Sequence, residues 1–255
     1  MKSLLVRLFG FPATLIHGDT LVLDRWLWLR RNLTAVSPSS KRVLDIGCGS
    51  GAFTIGAARL GYRALGLSWD ERNQAVAQQR ALLCNAPLAE FAIQDVRRLD
   101  QRPDLRDSFE IIVCCENIEH ILDDRKLMVD ISACLKPGGT LLLTAPNFNY
   151  KAITKGDDGP FSQVEDGWHV RKGYTPDDLA ILCTSAGLKV SRIEYCSGFV
   201  SQKTTGVLRK ASSIHPLFGW GLVLPLRVLP PLLDPWISRI FRWPGYSITL
   251  IATRD

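Results

Sequence analysis

Hydrophobic positions follow two alternating rhythms between about residues 41 and 147. Short apolar runs at 42–46, 62–68, 88–93, 109–115 and 140–144 lack the in–out alternation of a half-exposed strand, so they read as strands buried on both faces. Between them, 52–60, 71–83 and 123–135 repeat their apolar positions at helical spacing. A further helix opens at Thr175, with Pro176 in its first position and Asp177 and Asp178 in its first turn, and ends near Gly187. Residues 188–195 and 246–253 supply two last strands. Strands separated by helices predict an α/β fold with a mostly parallel sheet covered on both faces.

Two segments fall outside this rhythm. Residues 1–40 read as an N-terminal helical cap. Residues 203–245 form an insertion before the last strand, interrupted by six prolines (216, 225, 230, 231, 235 and 244). The main domain is therefore 41–202 together with 246–255. With 46% hydrophobic and 22% charged residues, the chain is globular in composition.

Charge sharpens this division. The formal net charge is +6, but residues 1–42 carry +5 and residues 203–245 another +5, which leaves the rest at −4. The seven cysteines (48, 84, 114, 115, 134, 183 and 196) form no Cys-x-x-Cys pair and mostly sit in apolar surroundings, as expected of reduced thiols in a cytoplasmic protein. Arg7 interrupts the first apolar run, so no secretory leader is expected, and no run is long enough to span a bilayer.

The most informative stretch is Val43-Leu44-Asp45-Ile46-Gly47-Cys48-Gly49-Ser50-Gly51. Glycines at alternate positions after a strand let the backbone approach a ligand, and the helix that follows turns its N–H groups toward it. The spacing is Gly-x-Gly-x-Gly and not the Gly-x-Gly-x-x-Gly of dinucleotide sites. Glycines alone would also suit a plain tight turn. The Val-Leu-Asp before them and the order of elements after them argue for a ligand loop.

On these residues the chain resembles the class I S-adenosylmethionine-dependent methyltransferases, from about residue 41 to 188 and again at 246–253. The resemblance implies a Rossmann-like seven-stranded, mostly parallel sheet with an antiparallel last strand. It places Gly47, Cys48, Gly49 and Gly51 against the methionine part of S-adenosylmethionine, with Asp45 fixing the amino group. Asp95 and the Val96 N–H, in Ile93-Gln94-Asp95-Val96, are assigned to the adenine. The second strand departs from the family pattern: Ser68, followed by Trp69 and Asp70, stands where an acid usually takes the ribose hydroxyls. Cyclopropane-fatty-acid synthases show a similar replacement helped by a glutamine, a part assigned here to Gln74.

After the fourth strand comes Cys115-Glu116-Asn117-Ile118-Glu119-His120. A Glu-His pair is common in small-molecule methyltransferases. Glu-x-x-Glu-His is more particular and resembles the motif of ubiquinone-pathway O-methyltransferases and small-RNA 2′-O-methyltransferases, where it holds a divalent ion. By the second resemblance His169, downstream of Pro146-Asn147, completes a set of Glu116, Glu119, His120 and His169. Such a set suits Mg²⁺, Mn²⁺ or Zn²⁺. Three roles stand open for it: metal ligation, metal-free acid–base catalysis by His120 or His169 with Glu116 beside them, and a structural role.

In the insertion, Trp220, Trp236, Phe241 and Trp243 interleave with Arg227, Arg239 and Arg242. The segment reads as a lid over the acceptor pocket or as an interfacial docking element on an anionic membrane. A nucleic-acid track is not expected from so much leucine and proline. The expectation is a cytoplasmic methyltransferase, peripheral to the inner face of a membrane in the docking reading, that methylates a hydroxyl of a hydrophobic or lipid-linked small molecule. An RNA 2′-O-methyltransferase and a non-catalytic cofactor-binding module are the alternatives.

Overall fold

The computed structural model describes residues 4–16, 20–226 and 230–255. Among them, seven segments close one another's backbone hydrogen bonds in a single sheet: β1 (Arg42–Ile46), β2 (Arg63–Ser68), β3 (Ala89–Ile93), β4 (Phe109–Cys115), β5 (Leu135–Pro146), β6 (Leu188–Cys196) and β7 (Ser247–Arg254). The order is β3-β2-β1-β4-β5-β7-β6, with β7 antiparallel to both neighbours and the other pairs parallel. Strand order reverses between β1 and β4, and the crevice beyond their carboxyl ends is where such sheets hold ligands.

The strand pleat divides the core in two. Leu44, Ile46, Ile112 and Cys114 point to one side, where α6 (Asp124–Cys134) and α7 (Pro176–Ser185) cover them. Val43 and Val113 point to the other, beneath α3 (Leu21–Asn32), α4 (Ala52–Arg59) and α5 (Glu71–Leu83). Thr175 and Asp178 form the reciprocal capping box that opens α7. The N-terminal segment adds α1 (Leu4–Phe9) and α2 (Phe11–Ile16) before α3. All seven cysteines are free thiols.

Two expectations about extent change. Strand β5 starts at Leu135, directly after α6, instead of at 140. The register between β4 and β5 slips between Phe109 and Ile111, and this irregularity accommodates the Pro137-Gly138-Gly139 turn chemistry within the strand. The insertion is helical and begins earlier than 203, as α8 (Phe199–Ser212), α9 (Pro216–Val223) and α10 (Pro230–Ile240). Pro216 and Pro230 stand at first helical positions, where a missing N–H costs nothing. Lys2, Asp19 and Arg227 of the charged flanks, and the Trp220 side chain, lie outside the described residues.

The first amides of α8 are closed from another helix. Asp234 on α10 accepts from the N–H groups of Gly198 (2.9 Å), Val200 (2.6 Å) and Ser201 (3.2 Å), and the Ser238 hydroxyl accepts from Phe199 N–H (2.9 Å). One buried carboxylate thus caps α8 and clamps α10 onto it. Replacing Asp234 with Ala strands three donors and should destabilise the insertion by about 1–3 kcal/mol. Hydrogen exchange at residues 198–201 checks this, with faster exchange expected there than in the β1–β4 core.

Candidate active site

The loop after β1 bears three left-handed glycines, with φ of +74° at Gly47, +50° at Gly49 and +80° at Gly51. A Cβ on Gly47 would lie 2.4 Å from Asn117 Oδ1, and one on Gly51 would lie 2.8 Å from both Ala77 and Phe91. Neither position admits a side chain. The loop borders a cavity of about 320 Å³ lined by Gly47, Cys48, Gly49 and Ser50, with Arg25 and Cys115 also in its wall. Alternating-glycine backbone at the start of α4, facing a cavity with a buried cation, fits the methionine end of the expected cofactor.

Asp45 sits below this loop, fully buried, and accepts a hydrogen bond of 2.6 Å from the Thr54 hydroxyl on α4. Burial pushes its carboxyl up to about 6 from an ordinary value of 3.8. An acid whose folded pKa is raised binds a proton on folding. Its contribution is therefore present at low pH and lost as pH rises from about 4 to 6. Asp24, raised to about 7 by burial, acts in the same direction. Denaturation across this window should show stability falling with pH, and Asp45→Asn should remove up to about 3 kcal/mol of that fall.

Ser68 ends β2 with its hydroxyl accepting from the Asp70 N–H (3.3 Å), and the exposed Trp69 ring lies beside Gly167. Asp70 is committed to capping α5 through the Arg72 and Asn73 amides (2.8 and 3.1 Å). The Gln74 side chain is buried, and its amide nitrogen donates to the Ala92 carbonyl (2.8 Å), tying α5 to β3. At the adenine end, Asp95 is gripped by Arg97 through Nε (2.8 Å) and Nη2 (2.7 Å), which holds its carboxyl below the usual range. Val96, buried, follows as the first residue of a 3₁₀ turn.

Across the crevice, the chain turns sharply after β4 because Glu116 adopts a left-handed φ of +48°. The next turn, Ile118–His120, carries Glu119 and His120 back toward the sheet. His169 arrives from a separate loop, anchored where Val170 N–H donates to the Glu119 carbonyl (3.0 Å). The two imidazoles meet edge to face with ring centres 4.7 Å apart, and each Nε2 lies 3.9 Å from Glu119 Oε1. One ligand atom from each of Glu119, His120 and His169 falls within a 4.8 Å cluster.

Glu119 is 0% exposed, and neither of its carboxylate oxygens has a hydrogen-bond partner among the described residues. Burial first, then the charge of Glu116, holds its carboxyl well above the ordinary range. Burial and the adjacent His120 push His169 down to about 4, so its imidazole is neutral at pH 7 and free to ligate. A buried carboxylate without partners, facing two imidazoles, fits a divalent cation.

Glu116 stands outside this trio. Its carboxylate receives Arg25 Nη2 at 2.9 Å and the Thr144 hydroxyl at 2.9 Å. The structure thus brings together three of the four anticipated ligands and gives the fourth to an ion pair with the N-terminal cap. The sequence reading missed Arg25, since no local pattern links a helix residue before β1 to the loop after β4. It also missed Arg171, which donates to the Ile121 and Leu122 carbonyls (2.7 and 2.9 Å) and to Asp124, fastening the His169 loop to the Glu119 turn.

Known proteins resemble this chain in sequence and in fold. A ubiquinone biosynthesis O-methyltransferase from Aeromonas salmonicida is 30% identical over 154 residues, 59% of this chain and 63% of that protein. The match therefore spans a little under two thirds of that relative. An S-adenosylmethionine-dependent methyltransferase from Mesorhizobium loti has the same fold (TM-score 0.57, 17% identity, 94% of this chain and 100% of the other). So does phosphoethanolamine N-methyltransferase 2 from Haemonchus contortus, solved with S-adenosyl-L-methionine (TM-score 0.60, 17% identity, 96% and 57%). The methyltransferase domain family matches residues 24–193, which takes in most of α3, the glycine loop and the Glu119–His120–His169 cluster. The chain belongs to this methyltransferase domain family and has its Rossmann-like, S-adenosylmethionine-binding fold.

Proposed function

We propose that the protein transfers a methyl group from S-adenosylmethionine to a hydroxyl oxygen of a hydrophobic, lipid-linked small molecule of the kind handled in quinone biosynthesis. The observation that carries this reading is the partnerless buried carboxylate of Glu119 between His120 and His169. The similarity to ubiquinone biosynthesis O-methyltransferases supports the acceptor class.

In this reading Gly47, Cys48, Gly49 and Gly51 bind the methionine end of the cofactor above Asp45, and the Arg25 guanidinium in the same cavity meets its carboxylate. Ser68 and Trp69 face the ribose, and Asp95 with Val96 N–H faces the adenine. Glu119, His120 and His169 would hold a divalent ion, which would supply the positive charge that favours a deprotonated acceptor hydroxyl. Glu116, fixed by Arg25 and Thr144, ties the N-terminal cap to the turn that carries Glu119 and His120. The two imidazoles and the fixed Glu116 carboxylate align the acceptor for in-line displacement at the sulfonium.

The enzyme is cytoplasmic in this reading and peripheral on the inner, anionic face of a membrane. The exposed apolar side chains of α9 and α10 and the basic residues around them support that placement. No described helix is long and apolar enough to cross a bilayer. A labelled-methyl assay against fractionated cell extract tests the reading. Label is expected in the lipid fraction, in alkali-stable ether linkage, and lost on chelation. Label in RNA, or in water-soluble metabolites only, would overturn it.

A further inference from the structure

Away from the crevice, a second cavity of about 760 Å³ lies between α8 and residues 151–154. Lys203, Gly206, Val207 and Lys210 line it at helical spacing, facing Lys151 and the Trp243 ring. Lys151 Nζ lies 4.0 Å and Lys203 Nζ 4.6 Å from the centre of that one indole. The ring is a fixed platform: its N–H donates to Gln202 Oε1 (2.9 Å), and Gln202, only 2% exposed, is itself anchored to the Ser197 and Pro244 carbonyls (2.9 and 2.8 Å). Arg209, also in the wall, is neutralised by Asp157. Lys151, Lys203 and Lys210 meet no carboxylate among the described residues, and none lines the groove. Two ammonium groups, those of Lys151 and Lys203, share one rigid aromatic ring, and Lys210 adds a third positive charge to the same wall two turns along α8; such like charges repel one another unless an anion lies between them.

The groove's border is apolar. Phe199 stacks on Phe241 (5.1 Å) and meets Trp243 edge-on (5.0 Å), so the cationic floor runs directly into the exposed end of α10. Trp236, Ile240 and Phe241 there are 74%, 75% and 60% exposed. On α9, Val223 and Gly219 pack inward while Phe218 and Leu222, one turn apart, face solvent. A soluble phosphate would need the cations alone. Cations bordered by outward-facing tryptophan, phenylalanine and isoleucine match the boundary between lipid headgroups and acyl chains.

We infer that the Lys151–Lys203–Lys210 groove binds the phosphate of an anionic membrane lipid while the exposed edge of α9 and α10 enters the acyl boundary. This inference deepens the lipid-linked acceptor reading and rests on it only for its purpose. Its test uses neither cofactor nor acceptor, so its failure would leave methyl transfer untouched.

The test is flotation of the full chain with phosphatidylcholine vesicles, with and without phosphatidylglycerol. The wild type should float with the anionic vesicles. The triple variant K151A/K203A/K210A should lose about 100-fold in partitioning. A charge-matched control on the body, K41A/R72A/K189A, should stay close to wild type. Trp236→Ser with Ile240→Ser should weaken flotation without changing net charge. Melting curves confirm that each variant is folded, and the double serine variant keeps the test open if the triple variant is not. Equal losses in triple variant and control would show diffuse attraction and overturn the proposal. So would binding of inorganic phosphate without flotation on anionic vesicles, or retention on single-stranded RNA in place of vesicles.

Discussion

Replacing Glu119 with Gln should lower methyl transfer by about 10²–10⁴-fold, and the same change should raise the stability of the metal-free protein. The two effects have opposite signs because they come from one feature. Glu119 is fully buried, and its oxygens meet no donor among the described residues. A carboxylate in that setting is costly unless a cation neutralises it. An uncharged amide of the same shape relieves the cost but cannot hold the ion with His120 and His169. Thermal melts would separate this account from a structural role. Adding Mn²⁺ or Zn²⁺ should stabilise the wild type and leave Glu119→Gln unmoved. A structural role predicts the reverse pattern, with lower stability in the variant and no response to metal in either protein.

Gly47→Ala should weaken S-adenosylmethionine binding by about tenfold to 100-fold. The residue has a left-handed φ of +74°, and its added methyl would lie 2.4 Å from Asn117 Oδ1. Relief requires moving either the glycine loop or the Asn117 turn that leads into Glu119, so cofactor and acceptor sides suffer together. Gly49 and Gly138 supply the comparison. Both have positive φ, but an added Cβ at either meets nothing within 4 Å. Gly49→Ala meets no protein atom, so its loss of affinity should come from backbone strain and from the methyl entering the cofactor cavity, and Gly138→Ala, far from the crevice, should alter stability without altering cofactor affinity. Calorimetric titration with the cofactor ranks the three.

Much of this was legible in the chain itself, for physical reasons. Strands buried on both faces leave continuous apolar runs, so β1, β2 and β4 and their helices fall where the pattern puts them; β3 is also where expected, but as the edge strand it has no buried residue. The glycine loop was readable because three left-handed positions in alternate places demand one residue type. Glu119 and His120 are close in sequence, and His169 could be assigned by resemblance. What stayed hidden depends on contacts between distant segments. Arg25 reaches Glu116 across the sheet, and nothing near either residue encodes the other. Gln74 on α5 donates to the Ala92 carbonyl on β3, a tie that nothing near either residue encodes. The prolines of 203–245 read as interruptions, whereas two of them start helices, and the carboxylate that caps α8 comes from α10.

These long-range contacts also revise the meaning of the chain's basic flanks. The N-terminal cap contributes its arginine to the crevice, so part of its charge is structural and internal. In the insertion, Lys151 from the main domain joins Lys203 and Lys210 on α8, so the cationic groove is assembled from both.

The central claim is that Glu119, His120 and His169 assist methyl transfer to a hydroxyl on a lipid-tailed acceptor. The most direct measurement is turnover of labelled S-adenosylmethionine with a polyprenylated catechol, in chelator and then with divalent metal restored. The account predicts labelled methyl ether that disappears in chelator, returns with metal, and does not return in Glu119→Gln. Undiminished ether formation in chelator, or in the variant, would contradict it.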